Sequence, residues 1–412
     1  MSPKRKSNRR RYRPRRERYI PRKTKRTILL CLLSAIVIGL LAVAFAKGWI
    51  TLPELPEEPQ ETVAPTQPPE DTVIHIVAGG DVNITDRVVN SGGNGYDYSD
   101  MLTDVLPILG GGDLTLLNFE GNVYGMPYGS QQRSAPVELL QALRLAGVDV
   151  LQTANSQAVT NGLLGLAATK KAIRDAGMQA LGTYSDEEDF ERYDGYLIYQ
   201  IQGIKIALVA FTKGMDGRSL PEGSEYCVNL LYTDYGSTYQ SINKDGIKDV
   251  LRAVEKESPD LTIAMLHWGS EYNDQINSTQ KEITKLLKEQ GVDAIIGSHP
   301  HYVQAMEHDP ESGFFLAYSL GDFLGDAQMA GTDYSVLLDL EVTKDGHTGQ
   351  TKVTGFSYTP IYQVYDEEGG LRVLRINEAI AAYENDYIGK VTQEIYRAMK
   401  SALGKIEDRI NP

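Results

Sequence analysis

From residue 73 onward the sequence predicts an α/β protein, a four-layer sandwich in which two sheets pack together between helices. Three observations predict it. Short apolar runs alternate with helix-like segments through the first part of this region. Five of those runs end in small sets of carboxylate, amide or imidazole groups. The later stretches FFLAYSLGDF, YSVLLDLEVT and TKVTGFSYTP are β-rich with polar turns. There is no internal repeat.

The elements follow in order. The strand-like runs VIHIVAGGD, LTLLNFEG, VDVLQTANS and MQALGTY are separated by the helix-like SDMLTDVLPIL, VELLQALRLAG and LLGLAATKKAIRDAG. Next comes a hairpin-like pair, GYLIYQIQGIKIALVAFT. A helix is expected around 239 to 257, then the strand LTIAMLHWG, a helix near 278 to 290, and the strand DAIIGSHPH. The last stretch, from about Asn377 to Ile410, reads as helix.

The region before residue 73 is of a different kind. Of the 412 residues and formal charge of -14, residues 1–26 carry 14 Lys/Arg against Glu17 alone, which leaves 27 basic and 54 acidic side chains for the rest. Residues 27–46, TILLCLLSAIVIGLLAVAFA, carry no charged side chain. About 20 apolar residues span a bilayer core. With the basic residues all on the N-terminal side, the expectation is a single-pass anchor in the cell membrane, N-terminus cytoplasmic, main domain extracellular. A cleavable signal peptide is the rival, since Ala44-Phe45-Ala46 has the right form, but the apolar run is longer than such segments usually are. Beside a membrane span, the basic tail reads as a topology determinant in contact with anionic lipid, not as a nucleic-acid site. Residues 51–72 hold six prolines and six acids, a composition that buries no core and suits an extended stalk. The expected organisation is a basic tail (1–26), an anchor (27–46), a Pro/Glu-rich linker (47–72), the α/β domain (73–365) and a C-terminal helical extension (366–412). Cys227 is alone in the outer part, so an intramolecular disulfide there is ruled out.

In open α/β folds ligands bind beyond the carboxyl ends of strands. Those positions hold Asp81, then Glu120 after Asn118, then Asn155, then His267, then His299 and His301. Imidazole and carboxylate together suit divalent metals of the zinc, manganese or iron type. Taken singly, each residue has a plainer use. Asp81 could cap the next segment, Glu120 could be a solvated acid and His267 a satisfied core histidine. Two imidazoles flanking Pro300 after a buried strand have little structural use.

The motifs GGDVNITDRV, LNFEG, TANSQAVTNGLLGL, LHWGSEY, GSHPHYVQ and YSLGDF, in that order, resemble the CapA family of capsule-synthesis (poly-gamma-glutamate biosynthesis) proteins, over about residues 73–330. That family is similar in fold to calcineurin-like metallophosphatases. The resemblance implies one or two divalent ions. Asp81, Glu120 and His301 would serve one, and Glu120, Asn155, His267 and His299 the other, with Glu120 bridging. It also implies a Gram-positive membrane setting and an anionic wall or capsule polymer as partner, with polymer-synthase membrane proteins nearby. The chain departs from the family pattern in places. Gln157 stands where a histidine is usual, Thr160 where an aspartate is usual, Asp322 where an asparagine is usual, and Asn83 where phosphatases have histidine. Glutamine does not titrate near neutral pH and cannot serve as a proton donor in the histidine's way. Asn83, Arg87, Glu271 and Asp322 are candidates for substrate contacts or for support of the ligands, and Trp268 and Tyr272 for a wall of the site. Three functions fit: support of polymer synthesis or export with a metal site, metal-dependent hydrolysis of a phosphoester or polymer amide, or non-catalytic binding on the same fold.

Overall fold

The structure is a computed structural model and describes residues 22–49, 69–366, 369–386 and 391–411. The basic tail up to residue 21 and nearly all of the Pro/Glu-rich linker lie outside the described residues. The chain divides into two units, Met1–Gln67 and Pro68–Pro412.

In the first unit a helix runs over Arg22–Ala46. Its stretch Leu29–Ala46 has a mean hydropathy of 2.9 and no buried side chains, so it is long and apolar enough to cross a membrane. The helix starts five residues before the expected span, taking in Arg22, Lys23, Lys25 and Arg26.

The second unit contains fourteen strands among the described residues. They are β1 (Thr72–Asn83), β2 (Leu114–Glu120), β3 (Val150–Gln152), β4 (Gln179–Leu181), β5 (Tyr196–Ile201), β6 (Ile204–Thr212), β7 (Leu261–His267), β8 (Ala294–Ser298), β9 (Met306–Asp309), β10 (Phe314–Ala317), β11 (Asp322–Leu324), β12 (Tyr334–Lys344), β13 (Thr351–Tyr365) and β14 (Leu371–Arg375). One sheet has the order β14-β13-β12-β1-β2-β3-β4, with β11 paired to β1 beyond its contact with β12. The other has the order β5-β6-β7-β8-β10-β9. β1 to β4 are mutually parallel, as are β6, β7, β8 and β10. All their carboxyl ends therefore open on one edge of each sheet.

Alternation along the strands builds the layers, because successive side chains leave a strand on opposite faces. Ile74, Ile76 and Ala78 of β1 join Ile206, Leu208 and Ala210 of β6 and Ile263 and Met265 of β7 in one core between the sheets. Val77 and Leu117 turn the other way, onto the helix Val137–Leu145. Ala207, Val209, Ala264 and Ile295 turn onto the helices Lys244–Lys256 and Ser278–Glu289. The result is four layers: helix, sheet, sheet, helix. The helix Ser278–Glu289 starts at a reciprocal cap, with Asn277 accepting from Gln280 N and the Gln280 side chain accepting from Asn277 N.

The C-terminal boundary needs correction. β14 pairs with β13 along Tyr365–Leu371 to Ile361–Arg375, so the sheet continues past residue 365. Val373 and Leu371 are apolar and fully enclosed, and they complete the outer face of that sheet. The helices that follow, Ile376–Glu384 and Gln393–Ile410, bury Ile380, Met399, Ala402 and Ile406 against the inter-sheet core.

One main-chain contact sets the position of the site. Asp81 N donates to Gly321 O at 3.0 Å, joining the end of β1 to the residue before β11. A Cβ on Gly80 would stand 1.7 Å from Gly321 O, so only glycine fits. Gly80→Ala should therefore lower stability by about 1–3 kcal/mol or more, read as a lower urea midpoint. Gly404→Ala, in the last helix with open space around it, should raise stability by about 0.5–1 kcal/mol. Equal effects at the two positions would refute the close-approach argument.

Candidate metal centre

The carboxyl ends of β1, β2, β7 and β8 and the amino end of β11 bring together Asp81, Glu120, His267, His299, His301 and Asp322, and all six are buried. These six form two groups of three, and a third group joins the exposed Glu271 to His299 and His301. In the first, Glu120, His267 and His299 place their ligand atoms within 4.8 Å of one another. In the second, Asp81, His301 and Asp322 do the same.

The first group is held by β2 and β7. His267 Nε2 lies 2.8 Å from Glu120 Oε1, and His267 Nδ1 lies 3.1 Å from Thr212 Oγ1. The Thr212 hydroxyl donates to Gly214 O at 2.9 Å. Its oxygen is therefore left to accept from Nδ1–H, and that fixes the histidine proton on Nδ1. The Nε2 lone pair then faces a carboxylate oxygen. Two acceptors at that separation require a cation between them, a proton or a metal ion. His299 Nδ1 is buried without a partner. Burial, more than the nearby His267, Lys213 and His301 charges, pushes the His299 imidazole well below its usual range, so it is neutral, the form that binds metals. Burial alone would raise Glu120; the His267 imidazole outweighs it and holds the carboxyl at about 2.

In the second group, His301 Nδ1 lies 2.7 Å from Asp322 Oδ1 and 3.4 Å from Asp81 Oδ2. Asn83 Nδ2 donates to Asp322 Oδ1 at 2.9 Å. Burial raises Asp322 to about 7 against the pull of the imidazole. Burial opposes protonation of His301, but Asp322 and Asp81 overcome it and raise His301 well above its usual range. The pair thus holds a proton at neutral pH. Asn118 Nδ2 donates to Asp81 Oδ1 at 2.7 Å and to Glu120 Oε1 at 3.2 Å, linking the groups.

The backbone is bent to fit. His299 and His301 have φ of 90° and 59°, values that cost a non-glycine residue about 1–3 kcal/mol each and that cluster at functional sites. The donor set, the orphaned His299 Nδ1 and the facing acceptors fit a divalent metal.

The remaining candidates fall in different places. Asn155 is buried beside the groups, but its Nδ2 donates to Asn118 Oδ1 (3.0 Å) and Phe119 O (2.7 Å), while its Oδ1 accepts from Gln157 N. Glu120, expected to bridge, groups with His267 and His299, and Asn118 joins it to Asp81. Asp322 takes the place beside Asp81 and His301. Gln157 lines the adjoining cleft of about 300 Å³, accepts from Thr160 Oγ1 at 2.7 Å and donates to Asp216 Oδ2 at 3.2 Å. Glu271 is exposed and lies within reach of His299 and His301. Tyr272 stacks on His301 with 5.2 Å between centroids. Trp268 is core and donates to Tyr318 O. Arg87 does not line the cleft: its guanidinium lies 3.5 Å over the Tyr365 ring and donates to Asp326 O. The cation on the cleft wall is Arg133, which lies in a loop with no pattern to reveal it. Asn118 was readable, being two residues before Glu120 on the same strand face. Thr212 was less so, because its place opposite His267 depends on the register of β6 with β7.

Over residues 75–327, more than half of its length, the chain matches the bacterial capsule synthesis protein family PGA_cap, and it belongs to that family. Its relatives include the capsule biosynthesis protein CapA of Bacillus anthracis, 27% identical over 324 residues that cover 76% of this chain and 73% of that protein. The PGA biosynthesis protein CapA of Bacillus subtilis (strain 168) is 25% identical over 264 residues, 61% of this chain and 63% of that one. Among solved structures, the calcineurin-like phosphoesterase YfkN from Bacillus subtilis superposes with a TM-score of 0.42 at 15% identity, over 82% of this chain and 99% of that one.

Adding Mn²⁺ or Zn²⁺ to metal-free protein should release protons, because a cation displaces the one held between His301 and Asp322. Both groups have raised values, so His301 keeps its proton through neutral pH and Asp322 takes up another below about pH 7, and metal affinity should fall as pH drops from 8 to 6. Calorimetry in buffers of different ionisation enthalpy checks this. Free metal at 100 times its Kd should stabilise the fold by about 2.7 kcal/mol, an effect that chelator reverses.

Proposed function

We propose that this protein supports synthesis or export of an anionic capsule or wall polymer, such as poly-gamma-glutamate, from a domain tethered outside the cell membrane, and that it does so with one or two divalent cations at the strand ends. One observation carries the reading: three buried carboxylates and three buried imidazoles converge with acceptors facing one another. The helix Arg22–Ala46 is the tether, and the basic residues before it argue for a cytoplasmic N-terminus. Glu120, His267 and His299 would hold one ion, and Asp81 and His301 a second. A bound cation would supply Lewis-acid polarisation of a phosphoryl or amide carbonyl oxygen. The acidic body repels a polyanion, and ions at the centre together with Arg133 offset that repulsion locally. Polymer-synthase membrane proteins are the natural neighbours of such a tether.

A second reading, non-catalytic binding of polymer, is favoured by one observation. Where the family's pattern has histidine and aspartate, this chain has Gln157 and Thr160, which form a hydrogen-bonded pair without a titratable group. The pair keeps the geometry and loses the proton transfer. The full chain in detergent, assayed with a phosphodiester and with poly-gamma-glutamate, with and without Mn²⁺, separates the readings. Under the binding reading the parent shows polymer retention without turnover. Gln157→His combined with Thr160→Asp should then gain metal-dependent turnover, since general acid–base groups contribute roughly 10²–10⁴-fold. Turnover by the parent at the level of the double variant would establish it as a hydrolase and remove the second reading.

A further inference from the structure

The two groups of donors differ in kind. One has a single carboxylate and two imidazoles, Glu120, His267 and His299. The other has two carboxylates and one imidazole, Asp81, Asp322 and His301. The difference comes from Asp322, which stands where the family pattern has asparagine. A carboxamide oxygen is a neutral donor, whereas a carboxylate brings a full charge and two oxygens.

Asp322 is aimed at the centre. Its Oδ1 is 2.7 Å from His301 Nδ1, and Asn83 holds that oxygen from the other side. Its main-chain oxygen accepts from Ser335 Oγ at 2.7 Å and from Gln363 Nε2 at 3.2 Å, so the residue is fixed at both ends. Asp81 Oδ2 approaches the same ring nitrogen at 3.4 Å. Donors bound at ~2.0–2.2 Å to one ion lie at most about 4.4 Å apart; the two contacts to His301 Nδ1 fall inside that limit, and all three donors lie within 4.8 Å of one another. The Asn118 amide sits between Asp81 and Glu120 and donates to both.

We infer that Asp322 is a metal ligand, completing with Asp81 and His301 an oxygen-rich site that prefers a hard divalent cation such as manganese, beside a nitrogen-rich site that prefers zinc. Carboxylate oxygen suits manganese and magnesium, and imidazole suits zinc and iron. The inference rests on the metal-centre reading proposed above and adds a selectivity that reading does not contain.

The test uses the full chain in detergent, stripped of metal and titrated with Mn²⁺. Loss of the free-ion paramagnetic resonance signal reports binding, and elemental analysis after desalting reports stoichiometry. The parent should hold one manganese that the first equivalent of Zn²⁺ does not expel. Asp322→Asn should weaken manganese binding by about 10-fold or more, the range for groups that support a metal site, and still bind one zinc. Manganese bound as tightly by Asp322→Asn as by the parent, or manganese expelled by the first equivalent of zinc, overturns the inference alone. A parent that binds no metal overturns the underlying reading and this inference with it. Circular dichroism checks that the variant folds. If it does not, the manganese–zinc competition in the parent decides: retention supports the assignment, expulsion overturns it.

Discussion

Charge confined in a dry space governs this molecule. Three carboxylates and three imidazoles lie out of water at the ends of parallel strands, and a buried charge is tolerated only when paired or bound to a metal. His267 shows how tightly the arrangement is drawn. Its Nδ1 proton is committed to Thr212, whose own proton is committed to Gly214. The other nitrogen faces Glu120 Oε1 at 2.8 Å, a contact that needs a proton or a metal ion between the two atoms. The order of the strands, the bent backbone at His299 and His301 and the amide of Asn118 all serve to keep these like-acting atoms close.

Packing supplies the force that holds them there. A core between the sheets and two more beneath the helices fix the strands from both sides. Local stability therefore offsets the left-handed backbone at His299 and His301, about 1–3 kcal/mol each. The region that gathers the buried polar groups is not the region that stabilises the fold. Cys227, free and buried among the apolar residues of the inter-sheet core, fits this division, since the α/β unit depends on ordinary packing and on no cross-link.

Much of this was legible in the linear sequence. Strand-helix alternation follows from side-chain periodicity, which is local, so the layers and the hairpin of β5 with β6 could be read directly. The positions of Asp81, Glu120, His267, His299 and His301 could be read because each follows an apolar run. How they are grouped could not. Asp81 and Asp322 are 241 residues apart in number and become neighbours only because β11 pairs with β1 in parallel, a pairing that no local pattern encodes. Arg87 and Arg133 illustrate the same limit: one basic residue looked useful near a motif and stacks on Tyr365, while another in an unpatterned loop reaches the cleft. β14 was lost to a presumed helical tail because five residues of strand carry too little periodicity to be distinguished.

The glycine pair at residues 80 and 321 has a consequence for how such a centre changes over time. Each glycine directly precedes an acidic residue, and the two are joined main chain to main chain. The frame that presents positions 81 and 322 is thus independent of what side chains those positions carry. Side chains can be exchanged there one at a time while the scaffold stays put, without any redesign of the architecture.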